Sequence, residues 1–225
     1  MRRMFVLGLL GGGVACKAPL TPEEDRGRAV EWVRTHSSEP VREECPADRV
    51  PEKETKLGDF KTHCDGRLAW CARQCSDGDD ATACYSLAYG FMVKDTHVAL
   101  MEPLYRRSCV LGAMRGCTLW AGALAYLHGS SDEEKVCLAR TYEKTCARGE
   151  PMGCAVHGFD LMIGRHAPPD LKKAREVLER VCKATSADDP ACESARDSLA
   201  ALTSLERNPG TTTPPPATRP RPGGP

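Results

Sequence analysis

The sequence predicts an all-α fold, an α/α solenoid of about four helical hairpins that are each cross-linked by a disulfide. Three observations support this. The chain has 13 cysteines, most of which fall in pairs of nearly constant spacing. The pairs recur with a period near 36 residues, which is typical of a helical repeat. Aromatic residues make up only 5% of the chain, and abundant Ala, Leu and Gly suit close helix packing better than a sheet.

The first 15 residues predict a signal peptide. Arg2 and Arg3 precede an apolar, glycine-rich run, and a small residue precedes Cys16. The stretch GVAC resembles a bacterial lipobox, which implies that Cys16 becomes the acylated first residue of the mature chain, with palmitate among its lipids. Lys17 follows where Asp would retain a lipoprotein at the inner membrane, so the resemblance implies the outer membrane. An ordinary signal peptide, cut near the same place, is the alternative.

Export places the chain in the oxidising cell envelope, where cysteine pairs persist. We expect a lipid tether and a short helical segment over 16–56, the repeat domain over 57–206, and a disordered Pro-rich tail over 207–225. Thr21, followed by a proline and by a glutamate three positions later, predicts a helix over 22–36.

Each repeat is predicted to be a first helix, a tight turn and a second helix. The first cysteine of each pair ends a helix-like run, and glycine follows three positions later in CSDG, CVLG and CARG, where it would adopt the left-handed conformation that ends a helix. The last copy has Thr185 instead. A small residue always precedes the second cysteine. The four pairs are Cys75 with Cys84, Cys109 with Cys117, Cys146 with Cys154, and Cys182 with Cys192.

Other residues predict where helices start. Ser131 and Glu134 form a capping box, and Asp170 is placed to cap the next helix. Pro103 interrupts a helix-like run and should kink that helix or delay its start.

The paired cysteines could be disulfides, zinc ligands or catalytic thiols. The ends of two helices joined by a tight turn lie side by side, as a disulfide requires. A zinc site usually uses close CxxC pairs, and the sequence has none. A catalytic thiol needs a basic partner, and no histidine recurs beside the pairs. Disulfides are therefore predicted, and no metal or cofactor.

Four cysteines are left without an assigned partner. Cys64 and Cys71 would lie about 10 Å apart along one continuous helix, too far for a bond, unless the Asp-Gly pair after Cys64 breaks that helix. We expect Cys45 to reach back to one of these two. Cys137 is either free or bound to the other, and the sequence does not decide between these alternatives.

The pattern (Leu/Thr)-Tyr-x-x-x-Cys-x-x-Gly-x(3–4)-(Gly/Ala)-Cys resembles the Sel1-like repeat family, and within it the cysteine-rich subgroup secreted by Helicobacter, over about residues 60–205. The resemblance implies a structure like tetratricopeptide repeats, a right-handed superhelix with a concave face, and one disulfide between the two helices of each repeat. The family acts generally as adaptors and scaffolds, although some cysteine-rich members carry a β-lactamase or penicillin-binding label.

The favoured function is therefore a non-enzymatic protein-protein interaction or scaffold module. Its partner would be an unknown envelope protein or cell-wall component. Lysine and arginine balance aspartate and glutamate at 31 each, so nucleic acid is not expected, and the membrane is contacted through the lipid. Tyr142 is expected to pack in the core and Arg107 to lie on a solvated face. The candidate groove contacts are Tyr89, Trp120, Tyr126, Arg106 and Arg140.

The alternative function is a β-lactamase-like hydrolase or a binder of peptidoglycan fragments. A serine β-lactamase needs Ser-x-x-Lys to activate its nucleophile, and no serine in this chain has lysine three positions later. The six histidines are scattered, and His157 is assigned to packing. These observations favour a binding function without catalysis.

Overall fold

A computed structural model describes residues 20–36, 44–93, 98–128, 131–165 and 167–207. This part of the chain is all helical and contains no strand, as the composition predicts. The α-helices are α1 (Pro22–His36), α2 (Pro46–Arg49), α3 (Leu68–Ser76), α4 (Ala81–Val93), α5 (Met101–Val110), α6 (Met114–His128), α7 (Asp132–Ala147), α8 (Pro151–Ile163), α9 (Leu171–Ala184) and α10 (Pro190–Arg207).

Eight of these helices form four consecutive hairpins: hairpin 1 (α3 and α4), hairpin 2 (α5 and α6), hairpin 3 (α7 and α8) and hairpin 4 (α9 and α10). The two helices of each hairpin pack on each other, and the second helix of each hairpin packs on the first helix of the next. Each hairpin therefore buries its apolar surface against itself and its neighbours.

A disulfide joins the two helices of every hairpin, in the pairs that the spacing predicts. Each bond links the end of the first helix to the start of the second, with Cα atoms 4.3 to 4.7 Å apart. The bonds are Cys75–Cys84, Cys109–Cys117, Cys146–Cys154 and Cys182–Cys192.

The turns inside the hairpins follow the glycine prediction in two of three cases. Gly112 and Gly149 have left-handed backbones, with φ of 98° and 86°. In hairpin 1 the left-handed residue is Asp79, with φ of 51°, and the prediction for Gly78 is wrong. The cysteines of hairpin 1 are nine residues apart rather than eight, and the extra residue moves the left-handed position by one. Thr185 is extended and leads into a longer turn.

Small residues before the second cysteine let the two helices of a hairpin approach closely. A Cβ atom added to Gly116 would lie 2.7 Å from the backbone nitrogen of Cys109, and one added to Gly153 would lie 2.1 Å from Oγ1 of Thr145. Neither distance is compatible with a side chain in the observed packing.

The predicted helix starts are present. Thr21 and Glu24 cap α1 reciprocally, since the Glu24 amide donates to Thr21 Oγ1 and the Thr21 amide donates to the Glu24 carboxylate. Ser131 forms the capping box of α7, and Asp170 accepts from an amide of α9. A short 3-10 turn precedes α5, so Pro103 lies in the first turn of this helix and delays its start without a kink.

Helix α1 packs on α3 through a buried apolar stripe and also supplies the N-terminal cap of that helix. Helix α3 has no cap from its own neighbouring side chain. Asp25 of α1 supplies one, because its carboxylate accepts from the backbone amides of Leu68 and Ala69. The N-terminal helix is thus a structural part of the array.

The structure resolves the pairing of the other four cysteines and corrects the expectations about two of them. Cys64 is bonded to Cys71, and Cys45 is bonded to Cys137. The expectation that Cys45 reaches back to Cys64 or Cys71 is wrong, and so is the expectation that Cys137 is free or bound to one of those two. Gly66 is left-handed, with φ of 66°, and α3 begins only after it. Cys64 therefore lies in a turn that folds back onto the helix.

The predicted signal peptide, the lipid-bearing Cys16 and the tail beyond Arg207 lie outside the described residues. Among the described helices, none combines the length and apolar character needed to cross a membrane.

Candidate functional site

A segment of the chain itself, residues 44–61, lies across the array of hairpins; we call it the crossing segment. It consists of α2 followed by residues without regular secondary structure. The Thr55 amide donates to the Gly112 carbonyl in the turn of hairpin 2, at 2.9 Å. The Lys61 ammonium donates to the Asp188 carboxylate in the turn of hairpin 4, at 2.9 Å. The segment therefore follows the row of turns that join first and second helices.

Phe60 anchors the crossing segment through an aromatic cluster. Its ring meets the rings of Tyr85 and Tyr89 edge to face, with centroids 4.9 and 5.4 Å apart. The guanidinium carbon of Arg115 lies 5.5 Å from the Phe60 ring centroid. Tyr89, a predicted partner contact, is thus partly buried against this chain's own phenylalanine.

Helix α7 holds the first half of the crossing segment. Arg140 pairs with Asp48 at 2.7 Å, and Lys144 donates to a backbone carbonyl of α2 at 2.8 Å. Arg148 donates to the backbone carbonyl of Pro51 at 2.6 Å. Arg140 was predicted to contact a partner, and in this structure it contacts the chain's own segment.

The remaining predicted contacts differ widely in exposure. Trp120 is 0% exposed, and its prediction as a groove contact is wrong because it lies one turn after Cys117 on the face of α6 that enters the core. Arg106 is largely buried beside Glu102, 3.6 Å away. Tyr126, in contrast, is 63% exposed. Only Tyr126 is freely available as a contact.

Tyr142 and Arg107 have the roles that the sequence analysis favours. Tyr142 is buried in the core of hairpin 3. Arg107 forms an ion pair with Asp79 and keeps part of its side chain in solvent.

A buried ionic cluster, which the sequence analysis missed, links hairpins 2, 3 and 4. Arg115 donates through Nε to Glu150 at 3.0 Å and through its two terminal nitrogens to Asp189 at 3.0 and 2.9 Å. Burial acts to raise the pKa of Asp189, but the hydrogen bonds from Arg115, the Ala191 amide and Thr185, together with the Arg115 charge, outweigh burial and hold that pKa below its ordinary value. The single guanidinium group therefore pairs with two acidic side chains of different hairpins.

The carboxylates of this cluster also cap helices. Glu150 accepts from two amides in the first turn of α8, and Asp189 accepts from the Ala191 amide in α10. Asp80 has the same role at the start of α4, whereas hairpin 2 has Ala113 at this position. The signal in the sequence is therefore an acidic residue shortly before the second cysteine, in three hairpins of four.

A cleft between α1, α3 and α5 is open to solvent on both sides of Trp32; we call it the Trp32 cleft. It comprises two depressions of about 200 and 230 Å³. The indole Nε1 donates to Ser76 Oγ at 2.7 Å, and the His36 ring stacks on the indole with centroids 3.9 Å apart. Arg28 and Arg73 line one depression. The cleft thus combines an oriented indole with guanidinium groups.

Hairpin 3 contains a carboxyl group in an apolar environment. Asp160 is 6% exposed, and burial raises its pKa to about 6, although Arg165 at 2.9 Å opposes this shift. Burial lowers the pKa of His157 on the same helix. Among the described contacts of Asp160 and His157, none is to a nucleophilic side chain.

Within the described residues, no three His, Cys, Asp or Glu side chains are grouped so that they could hold a metal ion.

Comparisons with protein-family models, with curated proteins and with solved structures return no match.

Proposed function

We propose that this chain is an interaction module: a solenoid of about four Sel1-like, tetratricopeptide-like hairpins that is anchored in the bacterial envelope through Cys16 and binds a partner protein. One observation carries the proposal. Lys144 and Arg148 donate from their side chains to backbone carbonyls of the crossing segment, and its Thr55 amide donates to a backbone carbonyl in the turn of hairpin 2. A surface of this kind suits peptide recognition, because a helical array fixes donors at regular intervals.

The Trp32 cleft is the best candidate for the partner's point of attachment. It is open to solvent, whereas the α7 surface that holds α2 is already occupied by the crossing segment. Tryptophan and arginine dominate the energetics of many interfaces, since they bury large areas and donate directed hydrogen bonds. Arg28 and Arg73 flank the indole and would pair with carboxylates of the partner.

A second candidate is the binding of carboxylated cell-wall glycan fragments without hydrolysis. The same cleft favours it, because the guanidinium groups beside Trp32 would hold the carboxylates of such fragments. Soluble peptidoglycan fragments added during the experiment below would compete for Trp32 if this candidate is correct.

The test is site-specific photo-cross-linking in the intact envelope. A photoreactive amino acid in place of Glu31, which lines the same depression, should capture a partner protein, and the product should disappear when Trp32→Ala is added. The matched control places the same amino acid at Lys172, an exposed position on α9 far along the chain. Equal products at both positions, or a product unaffected by Trp32→Ala, would remove the Trp32 cleft from consideration.

A further inference from the structure

We propose that α7 carries a second peptide-binding surface, which this chain fills with its own residues 45–51 and locks with the Cys45–Cys137 disulfide. The surface is formed by Arg140 and Lys144 of α7 and by Arg148 directly after that helix, which together we call the α7 row. The inference rests on the proposed function, because it concerns how an interaction module is kept closed. Reduction of one disulfide would open the surface to an outside peptide.

The contacts of the α7 row define what it recognises. Two of its three members donate to backbone carbonyls, those of Ala47 and Pro51. These contacts are indifferent to side-chain identity. The third member, Arg140, pairs with the carboxylate of Asp48. The surface therefore selects for one acidic residue and otherwise binds a backbone.

The occupant also buries small apolar side chains. Pro46 and Ala47 are buried in α2, with Ala47 1% exposed, and Val50 is 6% exposed. They pack where α2 contacts α5, α6 and α7. The matching outside partner is a short peptide with small apolar residues on both sides of an aspartate or glutamate.

The Cys45–Cys137 bond differs from the other disulfides in its topology. It joins residues 92 apart in sequence, while the other five join residues 7 to 10 apart. When a bond within a hairpin is reduced, the turn keeps both thiols adjacent. When Cys45–Cys137 is reduced, only non-covalent contacts hold residues 45–51 against the α7 row. The effective concentration of the segment at that surface therefore falls.

The same bond is accessible to a reductant. Cys45 and Cys137 are both half-buried, whereas both cysteines of the disulfides in hairpins 1 and 2 and of Cys64–Cys71 are buried. The hairpin bonds that are also half-buried can re-form at once because their thiols stay together. A reductant would therefore have its lasting effect at Cys45–Cys137.

Opening is a thiol–disulfide exchange with a dithiol protein or reagent. A thiolate of the dithiol attacks one sulfur of the Cys45–Cys137 bond, forms a mixed disulfide and releases the other cysteine as a thiolate. The second thiol of the reductant then displaces the remaining cysteine. Two electrons and two protons pass to this chain, and the dithiol becomes a disulfide. A protein disulfide reverses the step by the same exchange: it takes up the two electrons and two protons and becomes a dithiol.

The first experiment compares hydrogen exchange in the full chain and in the double variant Cys45→Ser/Cys137→Ser. Exchange should accelerate at least tenfold in residues 45–51, while α9 and α10 keep their protection. The matched control is Cys146→Ser/Cys154→Ser, which removes another disulfide from α7 and should leave residues 45–51 protected. Unchanged protection in the first variant would overturn the proposal.

The second experiment measures binding of a fluorescent synthetic peptide that copies residues 44–53, with serine in place of the cysteine. The double variant should bind it, wild type should not, and adding Arg140→Ala and Lys144→Ala should reduce the affinity of the variant at least tenfold. Binding that is equal in wild type and variant, or absent from both, would overturn the proposal.

A dithiol titration of wild type, followed by alkylation and mass spectrometry, tests the redox step without any substitution. Cys45 and Cys137 should be the first pair to be alkylated; earlier alkylation of any other pair would overturn this step. None of these readouts depends on Trp32, so a failure of the cross-linking test leaves them interpretable, and their failure leaves the Trp32 cleft untouched.

Discussion

Arg115, at the start of α6, holds Asp189, at the start of α10, with both terminal nitrogens of its guanidinium group, at 3.0 and 2.9 Å. Its Nε contacts Glu150 between them in sequence, at 3.0 Å. One side chain of hairpin 2 therefore joins the acidic caps of hairpins 3 and 4. Arg115 and Glu150 expose 9% and 1% of their side chains, so these charges depend on one another for stabilisation.

Arg115→Met should destabilise the fold by about 3–5 kcal/mol at about pH 7, because it leaves two carboxylates buried without a cation. The loss should shrink as the pH falls to about 4, since an unpaired buried carboxylate takes up a proton readily. Urea denaturation at the two pH values measures both effects. Arg140→Met is the control: it removes an exposed ion pair and should cost less than about 1 kcal/mol. Equal losses in both variants would show that the cluster is not a stabilising centre.

The sequence predicts local structure well and long-range contacts poorly, and the cysteines show why. The partners of Cys109 and Cys146 follow from a turn of fixed length within one hairpin. The partner of Cys45 does not, because it depends on how a short helix packs on a helix 92 residues later. Local spacing carries no information about that packing.

The candidate site shows the same limit. Tyr126 is exposed, as a partner contact should be, but Trp120 enters the core. The many small residues of α6 give no apolar periodicity that would distinguish the buried face of this helix from its exposed face. Arg115 was missed because its role depends on carboxylates 35 and 74 residues away. The Trp32 cleft forms only when α1 docks on α3, which the sequence alone does not indicate.

Gly153→Ala should destabilise the fold by about 1–3 kcal/mol, the usual cost of overpacking. The new methyl group would lie 2.1 Å from Oγ1 of Thr145, which is buried and cannot move away freely. Thermal denaturation is the measurement. Gly90→Ala is the matched control, because nothing lies within 4 Å of the added Cβ in the middle of α4, and alanine should stabilise that helix by about 0.5–1 kcal/mol. A stabilising effect at Gly153 would mean that the two helices are not held in close contact there.

Asp25→Ala should loosen the contact between α1 and α3. The carboxylate accepts from two amides at the start of α3, and loss of such a cap typically costs about 0.5–2 kcal/mol. Hydrogen exchange at Leu68 and Ala69 should accelerate. Asp25→Asn keeps one acceptor oxygen and should retain protection at one of the two amides; equal exchange in both variants would show that charge, rather than the hydrogen bonds, holds α3.

Asp160→Asn should make the fold more stable than wild type at neutral pH but not in acid. Burial raises the pKa of Asp160 to about 6 in the folded state, against about 3.9 in an unfolded chain. The folded protein therefore binds this proton more tightly, so the contribution of Asp160 to stability is greatest below about pH 4 and falls by about 2–3 kcal/mol as the pH rises through about 6.

The asparagine variant has no proton to lose, so its free energy of unfolding should not show this fall. Urea denaturation of both proteins between about pH 4 and 7 gives the difference directly. Asp132→Asn is the control with the opposite sign, because the hydrogen bond from Lys135 lowers the pKa of that exposed carboxylate. Parallel pH profiles for wild type and Asp160→Asn would mean that Arg165 neutralises the buried charge. Asp160 would then stabilise the fold through an ion pair rather than destabilise it at neutral pH.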